Sequence, residues 1–149
     1  MPAMDQETLN AFLSSDVLCR LGCLDDDGAP YVVPVWFQYV NDGFYIIPRA
    51  KSLWATYLKR DERVSLCIDS ESGERVLAKG QATLVEESNV GGQWVEIARD
   101  MAFRYRGQAG LDYLEKTLDE PRWLFFITPI KMTTWQGGGW AKHYKHSDW

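Results

Sequence analysis

Apolar positions along this chain fall mostly into short runs suited to strands, separated by a few segments with helical spacing. The first helical segment is DQETLNAFLSS, where Leu9, Phe12 and Leu13 share one face and Asp5 stands as the N-cap. VLCRLGCL then reads as a strand, closed by the acidic turn DDDG. PYVVPVWFQYV runs apolar almost without a break, and NDG signals a tight hairpin into FYIIPR. SLWATYLKR is helical, with Leu53, Trp54, Tyr57 and Leu58 on one side. RVSLCID is a strand, SESGE a turn and RVLAKGQATLVEE a long strand. Trp94, Ile97, Ala98, Met101, Ala102 and Tyr105 recur at helical intervals and predict a second amphipathic helix. GLDYLEKTL adds a third, before RWLFFITPIKMTTW returns to strand.

Short strands dominate, hairpin signals separate several of them, and the helices are few. This pattern predicts a mainly β (α+β) chain, an antiparallel barrel or sandwich with peripheral helices rather than a parallel α/β sheet. Pro34 has no N–H for a ladder, so its strand should lie at an edge or be interrupted there. The neighbours of Pro34 are too apolar for an edge facing water. Another subunit, a flat ligand or both should cover it.

Composition bounds the rest. At 149 residues and 46 % hydrophobic, the chain is long enough for one cored domain, residues 1–149, in which 133–149 form a C-terminal tail. A net charge of −5 argues against nonspecific nucleic-acid binding, which needs a basic face. No apolar run reaches the ~18 residues of a membrane helix, and MPAMDQETLN lacks a signal-peptide pattern. The expected location is the cytoplasm. Cys19, Cys23 and Cys67 do not make an even disulfide set. Cys19 and Cys23, four apart on a strand, would stand roughly 13 Å from each other, beyond disulfide reach. All three read as small buried hydrophobes. Aromatics at 13 %, with seven Trp, point to a large core or interface, and also allow a stacking surface for a flat ligand.

Two clusters carry candidate chemistry. In RAKS, Arg49, Lys51 and Ser52 stand where a strand ends and a helix begins, with Ser52 as the N-cap. A planar guanidinium, a point charge and free helix N–H groups suit a phosphate; a solvated basic turn is the plain alternative. The tail TTWQGGGWAKHYKHSDW offers glycines, tryptophans and both histidines. QGGGW lacks the Gly-Lys-Ser/Thr ending of a phosphate loop, and no long helix can follow it. His143 and His146 have only Asp148 nearby, a poor zinc set, so no metal is expected. No G-x-S-x-G is present.

Taken in order, the initial helix, VLCRLGCLDDDGAPYVVPVWFQYVNDGFYIIPRAKSLWATYLKRDERVSLCID and RVLAKGQATLV resemble the flavin-binding split β-barrel group, the relatives of pyridoxamine 5′-phosphate oxidase. The resemblance covers about residues 5–86 well and the last strand loosely. It implies a six- or seven-stranded antiparallel split barrel, forming a homodimer with two FMN sites at the subunit interface. By the same resemblance, Val33, Pro34, Val35 and Trp36 face the flavin ring, and Ile47 and Pro48 close the following strand. Arg49, Lys51 and Ser52 hold the FMN phosphate, and Arg75 and Lys79 are further cofactor contacts. A cation such as Lys79 near N1 would favour reduced, anionic flavin. The implied activity is an FMN-dependent oxidoreductase acting on a small organic substrate. FAD, the deazaflavin F420 or haem are the alternative cofactors, and a non-catalytic stress or sensing role is the alternative function. WAKHYKH stands where the oxidase proper grips pyridoxal phosphate, so vitamin B6 oxidation is not expected. Gly137, Gly138 and Gly139 would let the tail turn so that Trp140 and His143 reach the substrate side of the flavin.

Overall fold

The computed structural model describes residues 3–137. The chain runs α1 (Gln6–Leu13), β1 (Cys19–Leu24), β2 (Pro30–Val35), β3 (Gln38–Val40), β4 (Gly43–Ile46), α2 (Leu53–Arg60), β5 (Arg63–Asp69), β6 (Arg75–Asn89), α3 (Trp94–Lys116) and β7 (Arg122–Trp135). The seven strands form one sheet in the order β2-β1-β5-β6-β7-β4-β3, with every neighbouring pair antiparallel. Its two edges, β2 and β3, are consecutive in sequence and joined by Trp36 and Phe37 alone. The sheet therefore curls until its edges meet at that link without pairing, which is a split barrel.

Strand periodicity explains the filling. β5 buries Val64, Leu66 and Ile68 while Arg63, Ser65, Cys67 and Asp69 face outward. β6 turns Val76, Ala78, Gly80 and Ala82 inward, and β1 does the same with Cys19, Leu21 and Cys23. Phe37, Phe44, Phe125 and Ile127 complete the interior, and α1 closes one end with Leu9, Phe12 and Leu13. Asp5 caps α1 as expected, accepting from the Thr8 N–H at 2.7 Å. A second, smaller cluster of Trp94, Ala98, Ala102, Leu114 and Leu124 seats α3 on β7.

Several elements depart from the sequence pattern. The long run PYVVPVWFQYV is two strands, broken at Trp36 and Phe37 where the chain crosses from one edge to the other. β2 is an edge strand, so Pro34 withholds no N–H from a second neighbour. The NDG hairpin forms with Asn41 and Asp42 at positive φ (53° and 59°), and Val40 pairs Gly43. On α2 the buried side chains are Ala55 and Leu58, whereas Leu53 is 64 % exposed. The two expected helices of residues 94–118 form one run, α3, interrupted at Gly107 (φ 60°, ψ −144°). Cys19 and Cys23 are buried but Cys67 is exposed, because β5 alternation turns it outward. Among the described residues, no helix is long and apolar enough to cross a membrane.

Candidate functional site

A cavity of about 560 Å³ lies between the end of β2, the segment joining β4 to α2, and one face of α3. That size suits a cofactor or small molecule. The joining segment leaves the sheet after Ile46 and is pinned to the start of β7. Ala50 N–H donates to Pro121 O and Trp123 N–H to Pro48 O, both at 2.9 Å. An isolated bridge between Arg49 and Arg122 sets these two residues side by side. Across the gap, α3 presents Ala98, Ala102, Ala109 and Gly110, and their small size keeps the space open. A Cβ on Gly110 would fall 2.3 Å from Ala102 O, so that close helix packing requires glycine.

One end of the cavity is cationic. Arg49 donates from Nη1 to Glu120 Oε2 at 2.6 Å and from Nη2 to Tyr113 Oη at 3.1 Å. Arg122 is only 5 % exposed. Its Nη1 donates to Thr117 O (2.9 Å) and Glu120 O (3.1 Å), its Nη2 donates to Thr117 Oγ1 (2.9 Å), and its Cζ lies 4.7 Å from the centroid of the Trp94 ring. Burial first, and then repulsion from Arg49, push the Arg122 pKa below the usual arginine value; Glu120, Tyr113 and Asp119 oppose this. Arginine remains charged through such a shift. Arg106 also lines the cavity and makes no hydrogen bond or ion pair among the described residues. With Arg49, Arg106 and Arg122 in its lining and Glu120 paired to Arg49, the cavity is locally cationic although the chain carries a net charge of −5.

The other end is aromatic. Trp36 stacks on Tyr105 with centroids 4.7 Å apart and planes 7° from parallel. Tyr105 is itself held, donating to Val17 O at 2.8 Å and accepting from Phe37 N–H at 3.4 Å. Burial raises the pKa of its phenol, so it stays neutral and can donate. Arg104 sits 4.6 Å from the Tyr105 ring and 5.3 Å from the Phe37 ring. Trp36 is therefore fixed before any ligand arrives, with one ring face against Tyr105 and 37 % of the residue exposed.

A family model described as pyridoxamine 5′-phosphate oxidase matches residues 5–136. The chain belongs to the pyridoxamine 5′-phosphate oxidase family. A search of curated proteins finds no match. Among solved structures, a conserved hypothetical protein from Mycobacterium tuberculosis is similar with a TM-score of 0.72 and 22 % identity, over 89 % of this chain and 85 % of that one. The haem storage protein HutZ of Vibrio cholerae aligns with a TM-score of 0.66 and 20 % identity, over 89 % and 96 %. An FAD-binding protein from Mesorhizobium loti aligns with a TM-score of 0.57 and 21 % identity, over 89 % and 93 %. At these identities the likeness is one of fold.

Within this family member, the cavity gathers Pro34, Val35, Trp36, Ile47, Pro48, Arg49 and Ser52 of the residues expected from the sequence. Val33 lies two residues back on the inward face of β2 and packs on the barrel core. The Lys51 side chain is 81 % exposed, with Nζ 3.8 Å from Glu120, off the cavity wall. Ser52 occupies the N-cap position of α2, but its hydroxyl makes no capping bond. Arg75 donates to Gly73 O at 2.9 Å in the β5–β6 turn. Lys79 faces out of β6 into a separate groove with Arg20, Cys67 and Lys131. Within a single chain, neither Arg75 nor Lys79 reaches the cavity. Trp140 and His143 lie outside the described residues.

Sequence reasoning missed Arg106, Tyr113 and Arg122. Arg122 opens an otherwise apolar strand in PRWLFF, and a lone guanidinium there was the available signal. Only the antiparallel return of the chain puts it beside Arg49.

Proposed function

We propose that this family member is an FMN-binding oxidoreductase acting on a small organic substrate. The observation that carries the reading is the cavity itself, an apolar, aromatic slot with a cationic end at Arg49. FMN has the same two parts, a flat ring system and a phosphate monoester. Pro34, Val35 and Trp36 would flank the ring, Ile47 and Pro48 would support its edge, and Arg49 and Ser52 would face the phosphate with Lys51 at the rim. Flavin supplies two-electron redox chemistry; the protein's share is binding, orientation and exclusion of water. The wall of Ala98, Ala102 and Ala109 does the last of these, since it offers no polar group that would hold solvent.

Guanidiniums at one end of the cavity suit the phosphate of a flavin cofactor. FAD and F420 remain the cofactors to compare, because each carries a planar ring and a phosphate. We further propose a homodimer in which the partner covers β2, an edge strand that leaves Val32 66 % exposed. The cytoplasm remains the proposed location.

The deciding experiment is an absorption spectrum of the purified protein with mass identification of any released chromophore, followed by titration with FMN, FAD and F420. Tight FMN binding and substrate-dependent reoxidation of the reduced protein are expected. A colourless protein that binds no flavin would overturn the reading. Binding without turnover towards any acceptor would support the sensing role instead. Sedimentation at micromolar concentration tests the dimer, which a monomeric mass would refute.

A further inference from the structure

We propose that Arg122 is the anion anchor of the cavity and that the group it takes is a phosphate monoester on the ligand. This rests on the reading of the cavity as a cofactor site, and it moves the principal phosphate contact away from Lys51.

A guanidinium carries five N–H donors. In Arg122 both Nη1 donors and one Nη2 donor are spent on Thr117 O, Glu120 O and Thr117 Oγ1. The remaining two, Nε–H and the second Nη2–H, lie parallel along one edge of the fork. That edge is the one that pairs with two oxygens of a phosphate or carboxylate.

Charge supplies the second argument. Arg122 is 5 % exposed, and no carboxylate lies within ion-pair distance of it among the described residues. Its neighbours are backbone carbonyls, a hydroxyl and the Trp94 ring, while the Glu120 carboxylate is engaged by Arg49 at 2.6 Å. Asp119 favours the charge from a distance without contact. A buried cation beside a second cation is costly unless an anion joins them. Of the charged groups that line the cavity, Arg49, Arg106 and Arg122, offset by the Glu120 carboxylate paired to Arg49, leave two positive charges. A phosphate monoester above its second pKa of about 6 carries the matching two negative charges. A carboxylate carries one.

The test compares FMN with riboflavin, which lacks the phosphate, by fluorescence titration of the intact protein. The wild type should bind FMN at least ~100-fold more tightly than riboflavin. Arg122→Lys keeps the charge but loses the fork, and should weaken FMN binding by about 10–100-fold while riboflavin changes less than about threefold. Lys51→Gln should weaken FMN by less than about threefold. An Arg122→Lys protein with an unchanged FMN-to-riboflavin ratio would overturn the assignment.

A measurement on the unaltered protein covers the case in which the variant fails to fold. The Arg122 Nε–H resonance should shift on addition of FMN or inorganic phosphate, and stay in place with riboflavin. A resonance unmoved by both phosphates overturns the proposal. If inorganic phosphate moves it and no flavin binds, the flavin reading fails while the anion anchor stands. If FMN binds and the resonance does not move, the reverse holds.

Discussion

Replacing Arg104 by Met probes the tie that holds the α3 wall of the cavity to the barrel. Arg104 donates from Nη1 to Leu13 O (3.0 Å) and Ser15 O (3.2 Å), and from Nη2 to Phe37 O. Its guanidinium also covers the Phe37 and Tyr105 rings. One side chain thus joins α3 to the end of α1 and to the link between the two sheet edges. Hydrogen bonds from a charged donor contribute about 1.5–3 kcal/mol each, and part-buried carbonyls left without a donor carry the loss. Against this, Met refills most of the stem volume and removes a cation whose burial already depresses its pKa. The net expected loss is about 2–4 kcal/mol. At ~2–4 °C per kcal/mol for a chain of this size, Tm should fall by about 4–16 °C. Urea unfolding followed by tryptophan fluorescence should show a lower midpoint with an unchanged slope. Arg104→Lys, which keeps the charge but cannot reach three carbonyls at once, should recover only part of the loss. A loss below about 1 kcal/mol for Arg104→Met would refute the claim that this side chain seats α3.

Gly107→Ala should destabilise by about 1–3 kcal/mol, measured by urea unfolding, because the backbone at φ 60° and ψ −144° disfavours a Cβ even though nothing lies within 4 Å of one. Hydrogen bonds from Arg63 hold the Asp61 carboxyl at about 2 instead of 3.8, so its stabilisation is present above 3.8 and is lost as pH falls towards 2. Asp61→Asn should therefore be less stable than the parent at neutral pH, with the gap closing between those two values in acid-unfolding curves; a constant gap would refute this. Thiol labelling of the native protein should modify Cys67 first and slowly, since it is exposed but its pKa is raised by partial burial and Asp69. Cys19, pushed up to about 12 by burial, should react only on unfolding, and fast labelling at Cys19 would contradict the barrel packing.

Short-range physics made much of this protein readable in its sequence. Alternation in RVSLCID and RVLAKGQATLVEE sets which side chains enter the barrel, because a strand can bury only one face there. Asp5 and the Asn41–Asp42 turn act within a few residues, so their local chemistry marks them. Pro34–Trp36, Ile47–Arg49 and Ser52 were legible as candidate cofactor residues through the resemblance that the whole chain carries, and they line the cavity. The tertiary structure decided that PYVVPVWFQYV divides at Trp36, since closing the sheet demands a crossing there and periodicity carries no mark of it. It also set Arg122 beside Arg49, more than seventy residues apart in sequence, and turned Lys79 to another face. Spacing along a chain records which residues share an element's face; which faces meet depends on long-range strand pairing, where α3 and β7 return to residues fixed much earlier.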